Sequence, residues 1–266
     1  MYKIIMGEMI MKRNNIINRL FILFSALIFT FVFSISRIPN ASAYGWGLTK
    51  NNENKVPDVG FYKNEIEGTD SYYVGSEEKK IYLTFDAGYD NGNIEKIVKI
   101  LKEYEVPATF FSTGDFLERN PDLVKLIDEN GLIIGNHMYS HKDITKISDE
   151  VLKEEITKVE EIYKSITGKE MIKLFRPPKG EFTKEALLKV KNLGYKTFFW
   201  SIAYLDWNTK DQKGEDYTYN SVINNLHDGA IILMHSVSDD NVKCLPKIIE
   251  KARTLGYTFD SLENIH

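Results

Sequence analysis

Ile81-Tyr82-Leu83-Thr84-Phe85 is an unbroken run of apolar, aromatic or β-branched residues that stops on Asp86 and is followed by Ala87-Gly88. A run of that length without helical spacing, closed by a glycine, reads as a buried strand. Outward from it the same pattern returns at 108–113, 132–135, 172–175, 196–201 and 230–235. Helix-length segments alternate with these runs at 92–104, 121–130, 148–166, 183–193, 217–226 and 239–255. Such alternation predicts right-handed βαβ units and a largely parallel sheet in an α/β fold. Ser148 and Thr183 precede acidic first turns, and Gly131, Gly168, Gly194 and Gly256 follow helical segments, as helix punctuation requires. The residues after Lys79 fit either an open doubly wound sheet or a small barrel, and no internal repeat is visible.

The 266 residues are 43% hydrophobic and 12% aromatic, which excludes a disordered chain and supports a sizeable core. Residues 1–43 read as a secretory signal or a membrane anchor. Lys12, Arg13 and Arg19 precede the apolar run Leu20 to Ile35, and Ala41-Ser42-Ala43 offers a small-x-small cleavage site. The run is shorter than the roughly 20 residues of a comfortable span. The body of the protein is therefore expected outside the cytoplasm, touching a membrane only through an uncleaved N-terminus. Five cations against Glu8 make that segment +4, so an overall charge of −4 leaves −8 for the remainder. Such a body repels polyanions and excludes nonspecific nucleic-acid binding. Residues 44–78 form a polar extension that is expected to wrap on the domain at 79–266. The single cysteine, Cys244, excludes an internal disulfide and reads as a buried small hydrophobe.

Five strand ends carry polar groups a strand does not need. Asp86 ends the first run, and Leu132-Ile133-Ile134 leads through Gly135-Asn136 to His137, with His141 four residues on. Leu174-Phe175 enters Arg176-Pro177-Pro178, Phe198-Phe199-Trp200 leads to Asp206-Trp207, and Ile231-Ile232-Leu233-Met234 ends at His235. In parallel α/β architectures the C-terminal strand ends share one rim, so these groups can converge. His137 and His141 have a spacing that puts two imidazoles on one face, suited to zinc or similar ions. Asp86 could take a proton from water or simply cap a helix near Gly92. His235, charged by a neighbouring Asp206, could donate a proton, or could be a buried histidine satisfied by backbone. Arg176 could pair with Asp86. Tyr139, Phe182 and Trp207 lie beside these residues and could stack on sugar faces. His227 and His266 fit no such pattern and read as surface residues.

Thr84-Phe85-Asp86-Ala87-Gly88, Asn136-His137-Met138-Tyr139-Ser140-His141, Arg176-Pro177-Pro178-Lys179-Gly180, Asp206-Trp207 and Leu233-Met234-His235-Ser236 resemble, in order, the five motifs of NodB-type polysaccharide deacetylases (carbohydrate esterase family 4). The resemblance covers about residues 79–264 and implies a distorted (β/α)7 barrel and metal-assisted removal of acetyl groups from N-acetylated sugars. It implies Asp86 as catalytic base, His235 as catalytic acid, Arg176 and Asp206 as their partners, and His137 and His141 as ligands of a divalent metal, zinc first.

A finer match is to the delta-lactam-biosynthetic de-N-acetylases of endospore formers, carried by Tyr89-Asp90-Asn91-Gly92, Asp206-Trp207-Asn208 with Gln212-Lys213-Gly214, His235-Ser236-Val237-Ser238 with Asp240-Asn241, and Gly256-Tyr257-Thr258-Phe259. It implies action on N-acetylmuramic acid of peptidoglycan strands after an amidase removes the peptide, giving muramic-δ-lactam in spore cortex. The location it implies is the cell envelope, in the forespore intermembrane space if expression is sporulation-specific. Ala87 stands where the wider family carries a ligand aspartate, so a weaker metal site is expected. An N-acetylglucosamine deacetylase, a silent glycan-binding protein and a carbohydrate acetyl esterase remain alternatives.

Overall fold

A computed structural model describes residues 43–50 and 53–266; the leader reading lies outside the described residues except at Ala43. The chain runs through β1 (Tyr44–Gly45), β2 (Ser71–Tyr72), β3 (Lys80–Ala87), β4 (Ala108–Ser112), β5 (Ile133–Asn136), β6 (Leu174–Phe175), β7 (Glu181–Phe182), β8 (Lys196–Phe198), β9 (Ile231–His235) and β10 (Thr258–Phe259). Its longer helices are Ile94–Glu103, Pro121–Glu129, Asp149–Thr167, Lys184–Asn192, Glu215–Ile223 and Asp239–Thr254, each within two or three residues of its expected span. Ser148 and Thr183 accept from Val151 and Ala186 backbone N–H groups and so cap their helices as read.

One parallel sheet carries the domain, in the order β9, β3, β4, β5, β6, β8, β2, with β10 paired to the start of β3. The sheet curls until an isolated parallel bridge from Ile202 to Ile232 joins the chain beyond β8 back to β9. This is the distorted barrel the resemblance implies. Side chains alternate between two faces along each strand. Ile81, Leu83 and Phe85 of β3 turn outward into the main apolar cluster under the helices, with Ile97, Leu101, Ile248 and Ile249. Tyr82 turns inward and packs with Phe111, Ile133, Leu174, Phe198 and Ile231, closed from below by Leu262 and Ile265. The same alternation sends Asp86 and His235 inward at the C-terminal rim.

The polar segment 44–78 does more than wrap the domain. Ser71–Tyr72 pairs in parallel with β8 inside the sheet, and Tyr44–Gly45 pairs with β7. Trp46 is buried, stacks on Phe199 at 4.3 Å and donates its indole N–H to the Trp200 carbonyl at 2.9 Å. Strands of two residues carry no alternation signal, so this role was invisible in the sequence. Among the described residues no helix is long and apolar enough to cross a membrane.

Candidate active site

A cavity of about 930 Å³ opens at the C-terminal rim, and Asp86, His137, His141 and His235 all line it. Behind them stand Arg176, fully buried, and Asp206, 5% exposed. The five strand ends therefore meet at one place.

Asp86 and His235 are direct neighbours in register on β3 and β9. The Arg176 guanidinium donates from Nη1 to Asp86 Oδ1 at 2.8 Å, from Nε to the Phe198 carbonyl at 3.0 Å and from Nη2 to the Phe199 carbonyl at 3.2 Å. It lies 4.2 Å from the Phe111 ring centroid, so a buried cation is satisfied on every side. Burial disfavours the Asp86 anion, but the charge and hydrogen bond of Arg176, with the charge of His235, outweigh it and hold the carboxyl below its usual range. Arg176 occupies Oδ1, while Oδ2 faces His137 Nε2 across 3.7 Å. Asp86 does not cap the following helix; its neighbour Asp90 accepts from the Ile94 N–H.

The His235 ring donates from Nδ1 to Asp206 Oδ1 at 2.7 Å, and the His235 backbone N–H donates to Asp206 Oδ2 at 2.8 Å. A carboxylate on Nδ1 leaves Nε2 as the remaining ring nitrogen. Burial opposes charge on the ring, but the hydrogen bond and charge of Asp206 win and raise its pKa above the usual value. Asn241, whose role the sequence did not reveal, donates from Nδ2 to Asp206 Oδ2 at 2.7 Å and accepts from the Tyr204 hydroxyl at 2.7 Å. The finer resemblance covers Asn241 without implying a role for it, and the residue sits in the first turn after the cap Ser238.

His137 donates from Nδ1 to the Arg176 carbonyl at 2.8 Å, which fixes its tautomer because a carbonyl only accepts. Burial pushes its pKa down to about 4, so at neutral pH Nε2 presents a lone pair. The His141 ring stands edge-on to it, with centroids 4.9 Å apart. Two neutral imidazoles beside a carboxylate fit a divalent cation as an incomplete set. Among the described residues no three His, Cys, Asp or Glu are grouped to hold a metal ion, and Ala87 lies fully buried in the outer apolar cluster without a donor.

Of the three aromatics expected at the site, Tyr139 and Trp207 line the cavity, and Trp207 is 57% exposed. Phe182 does not. It is fully buried among Trp46, Leu187 and Phe199, because β7 turns it under the N-terminal segment and away from the rim. His227 is also a correction: it is buried, with Nδ1 on the Asn225 carbonyl and Nε2 on Ser201 Oγ. Exposed Tyr89 and Lys179 line the cavity and were not singled out. Lys179 is the one lysine or arginine among the lining residues. It is held in the left-handed region at φ 57° and makes no ion pair within the described residues. Cys244 is buried, as read.

Residues 74–198 match the polysaccharide deacetylase family. The chain is 42% identical over 231 residues to the peptidoglycan-N-acetylmuramic acid deacetylase PdaA of Bacillus subtilis, spanning 86% of this chain and 87% of that one. It is 35% identical over 190 residues to a peptidoglycan-N-acetylglucosamine deacetylase of Bacillus cereus, 70% of this chain and 68% of that one. The solved structure of Bacillus subtilis PdaA, a family 4 carbohydrate esterase, superposes with a TM-score of 0.82 at 40% identity, covering 86% of this chain and 98% of that one.

Proposed function

This chain belongs to the polysaccharide deacetylases, hydrolases of carbon–nitrogen bonds, and on that premise we propose that it removes the acetyl group from N-acetylmuramic acid in peptidoglycan. The observation that carries the chemistry is the register pair Asp86 and His235, each tied to a partner of opposite charge. Two titratable groups whose surroundings drive their pKa values apart divide base and acid work between them. Asp86, anionic with Oδ2 not taken up by Arg176, accepts the proton of a water attacking the acetamide carbon. His235 gives a proton from Nε2 to the amide nitrogen as the carbon–nitrogen bond breaks, and acetate and a free amine leave. His137 and His141 would hold a divalent cation, zinc or a similar ion, which when bound supplies polarisation of the acetyl carbonyl. Tyr139 and Trp207 offer flat faces to the sugar rings.

Two observations favour muramic acid over glucosamine. The relative of higher identity carries that substrate in its name, and Lys179 puts an unpaired cation on the cavity wall. Muramic acid bears a lactyl carboxylate, and glucosamine has no anion there for a lysine to meet. The amine produced lies within reach of that carboxylate, so closure to muramic-δ-lactam, as in spore cortex, follows when an amidase has freed the carboxyl from its peptide. Such a substrate puts the protein in the cell envelope. Mass analysis of glycan strands treated with the protein tests the reading. Acetate release with new free amine or lactam on muramic residues of peptide-stripped strands is expected; free amine on glucosamine residues alone would overturn it.

A further inference from the structure

Helix Asp149–Thr167 buries Leu152, Ile156, Val159 and Tyr163, an apolar stripe at helical spacing. Glu155 sits within that stripe and is only 6% exposed. A carboxylate there costs desolvation that only charged or hydrogen-bonding partners offset. Its partners are all in the loop carrying the two imidazoles. Ser140 donates its backbone N–H to Glu155 Oε2 and its hydroxyl to Oε1, both at 2.7 Å, and Lys142 pairs with Oε1 at 2.8 Å. Burial raises the Glu155 pKa, but these partners overcome it and hold the acid ionised.

The loop needs such a clamp. Met138 and His141 both take left-handed backbone conformations, φ 65° and 57°, which side-chain-bearing residues adopt at a cost. Met138 is anchored by burial against Leu152 and Ile156 of the same helix, and its carbonyl accepts from the Gly114 N–H at 3.0 Å. Ser140 and Lys142 flank His141, and both end on Glu155. We propose that Glu155 is a positioning residue: it holds the Ser140 backbone on one side of His141 and the Lys142 ammonium on the other, keeps that imidazole with its ring centroid 4.9 Å from that of His137, and thereby sets the cation affinity of the pair. With only two imidazoles and no donor at Ala87, the site depends on their mutual placement more than a closed three-ligand site would. This inference rests on the reading of His137 and His141 as cation holders.

The test is zinc affinity, measured by competition with a chromophoric chelator on the full-length protein, together with amide hydrogen exchange at Ser140 and His141. Glu155→Gln keeps the shape but loses the charge, and Glu155→Ala removes the clamp. Affinity should fall by about 10- to 100-fold, the usual effect of removing a partner that orients ligands. Exchange at Ser140 and His141 should quicken, while exchange in β3 and β9 stays as in the parent. Affinity within twofold of the parent in folded Glu155→Gln would overturn the inference, even if Glu155→Ala fails to fold. If the parent itself binds no zinc, the cation reading fails instead. The clamp is then judged by exchange alone, and unchanged protection at Ser140 and His141 in Glu155→Gln would overturn it.

Discussion

Asp206 illustrates how much of this site is decided by single atoms. One oxygen accepts a hydrogen bond from the His235 ring Nδ1–H, and the other accepts from the His235 backbone N–H and the Asn241 amide. The ring must carry its proton to act as acid. Its pKa lies above the ordinary value of about 6.5, so the competent form persists to higher pH and is lost as pH rises through the raised value. The same linkage adds stability below the unfolded pKa that fades as pH climbs through the folded one. Asp206→Asn removes the anion and should move the alkaline limb of the kcat/KM profile to lower pH. A limb that stays in place would show that another group supplies the proton.

The elements were legible where they were long. Each of the six longer helices and the strands at 80–87, 108–112, 133–136 and 231–235 falls where periodicity or an apolar run put it, because packing and pattern agree there. Two-residue strands have no pattern to read, and Phe182 was misplaced because adjacency in sequence to Arg176-Pro177-Pro178 does not say which way β7 turns its side chain. His227 was missed for a similar reason: a lone histidine after an amphipathic helix gives no sign that Ser201 waits for it. The strand-end residues were legible because alternation along β3 and β9 sends them to one interior. Gly135 in β5 shows how tightly that interior is filled. A Cβ there would lie 2.7 Å from the Phe111 ring and 3.2 Å from the Leu174 carbonyl, and Phe111 lies against the Arg176 guanidinium. Gly135→Ala should cost about 1–3 kcal/mol in chemical denaturation. It should also lower kcat, because displacing Phe111 disturbs the arginine that orients Asp86. Unaltered stability would mean that the barrel yields more than its packing implies.

At the scale of the whole molecule, the barrel is built from both ends of the described chain. The segment before residue 79 adds β2 to the sheet and buries Trp46 against Phe182 and Phe199, and the C-terminal turn plugs the opposite end with Leu262 and Ile265. Trp46→Ala should lower unfolding free energy by about 3–5 kcal/mol, the usual result for a buried large aromatic. A change under 1 kcal/mol would make the segment an appendage. The cavity at the rim, with Lys179 on its wall and the paired Asp86 and His235 at its floor, suits hydrolysis of a carbon–nitrogen bond on a polysaccharide, the chemistry of the family.

The proposed hydrolysis turns on Asp86 taking the proton from water while His235 returns one to the leaving nitrogen. Acetate release from peptide-stripped peptidoglycan strands, compared between the parent and Asp86→Asn, tests it most directly, with circular dichroism confirming that both are folded. Turnover should fall by about 10²- to 10⁴-fold in the folded variant. Turnover by Asp86→Asn equal to that of the parent would contradict it.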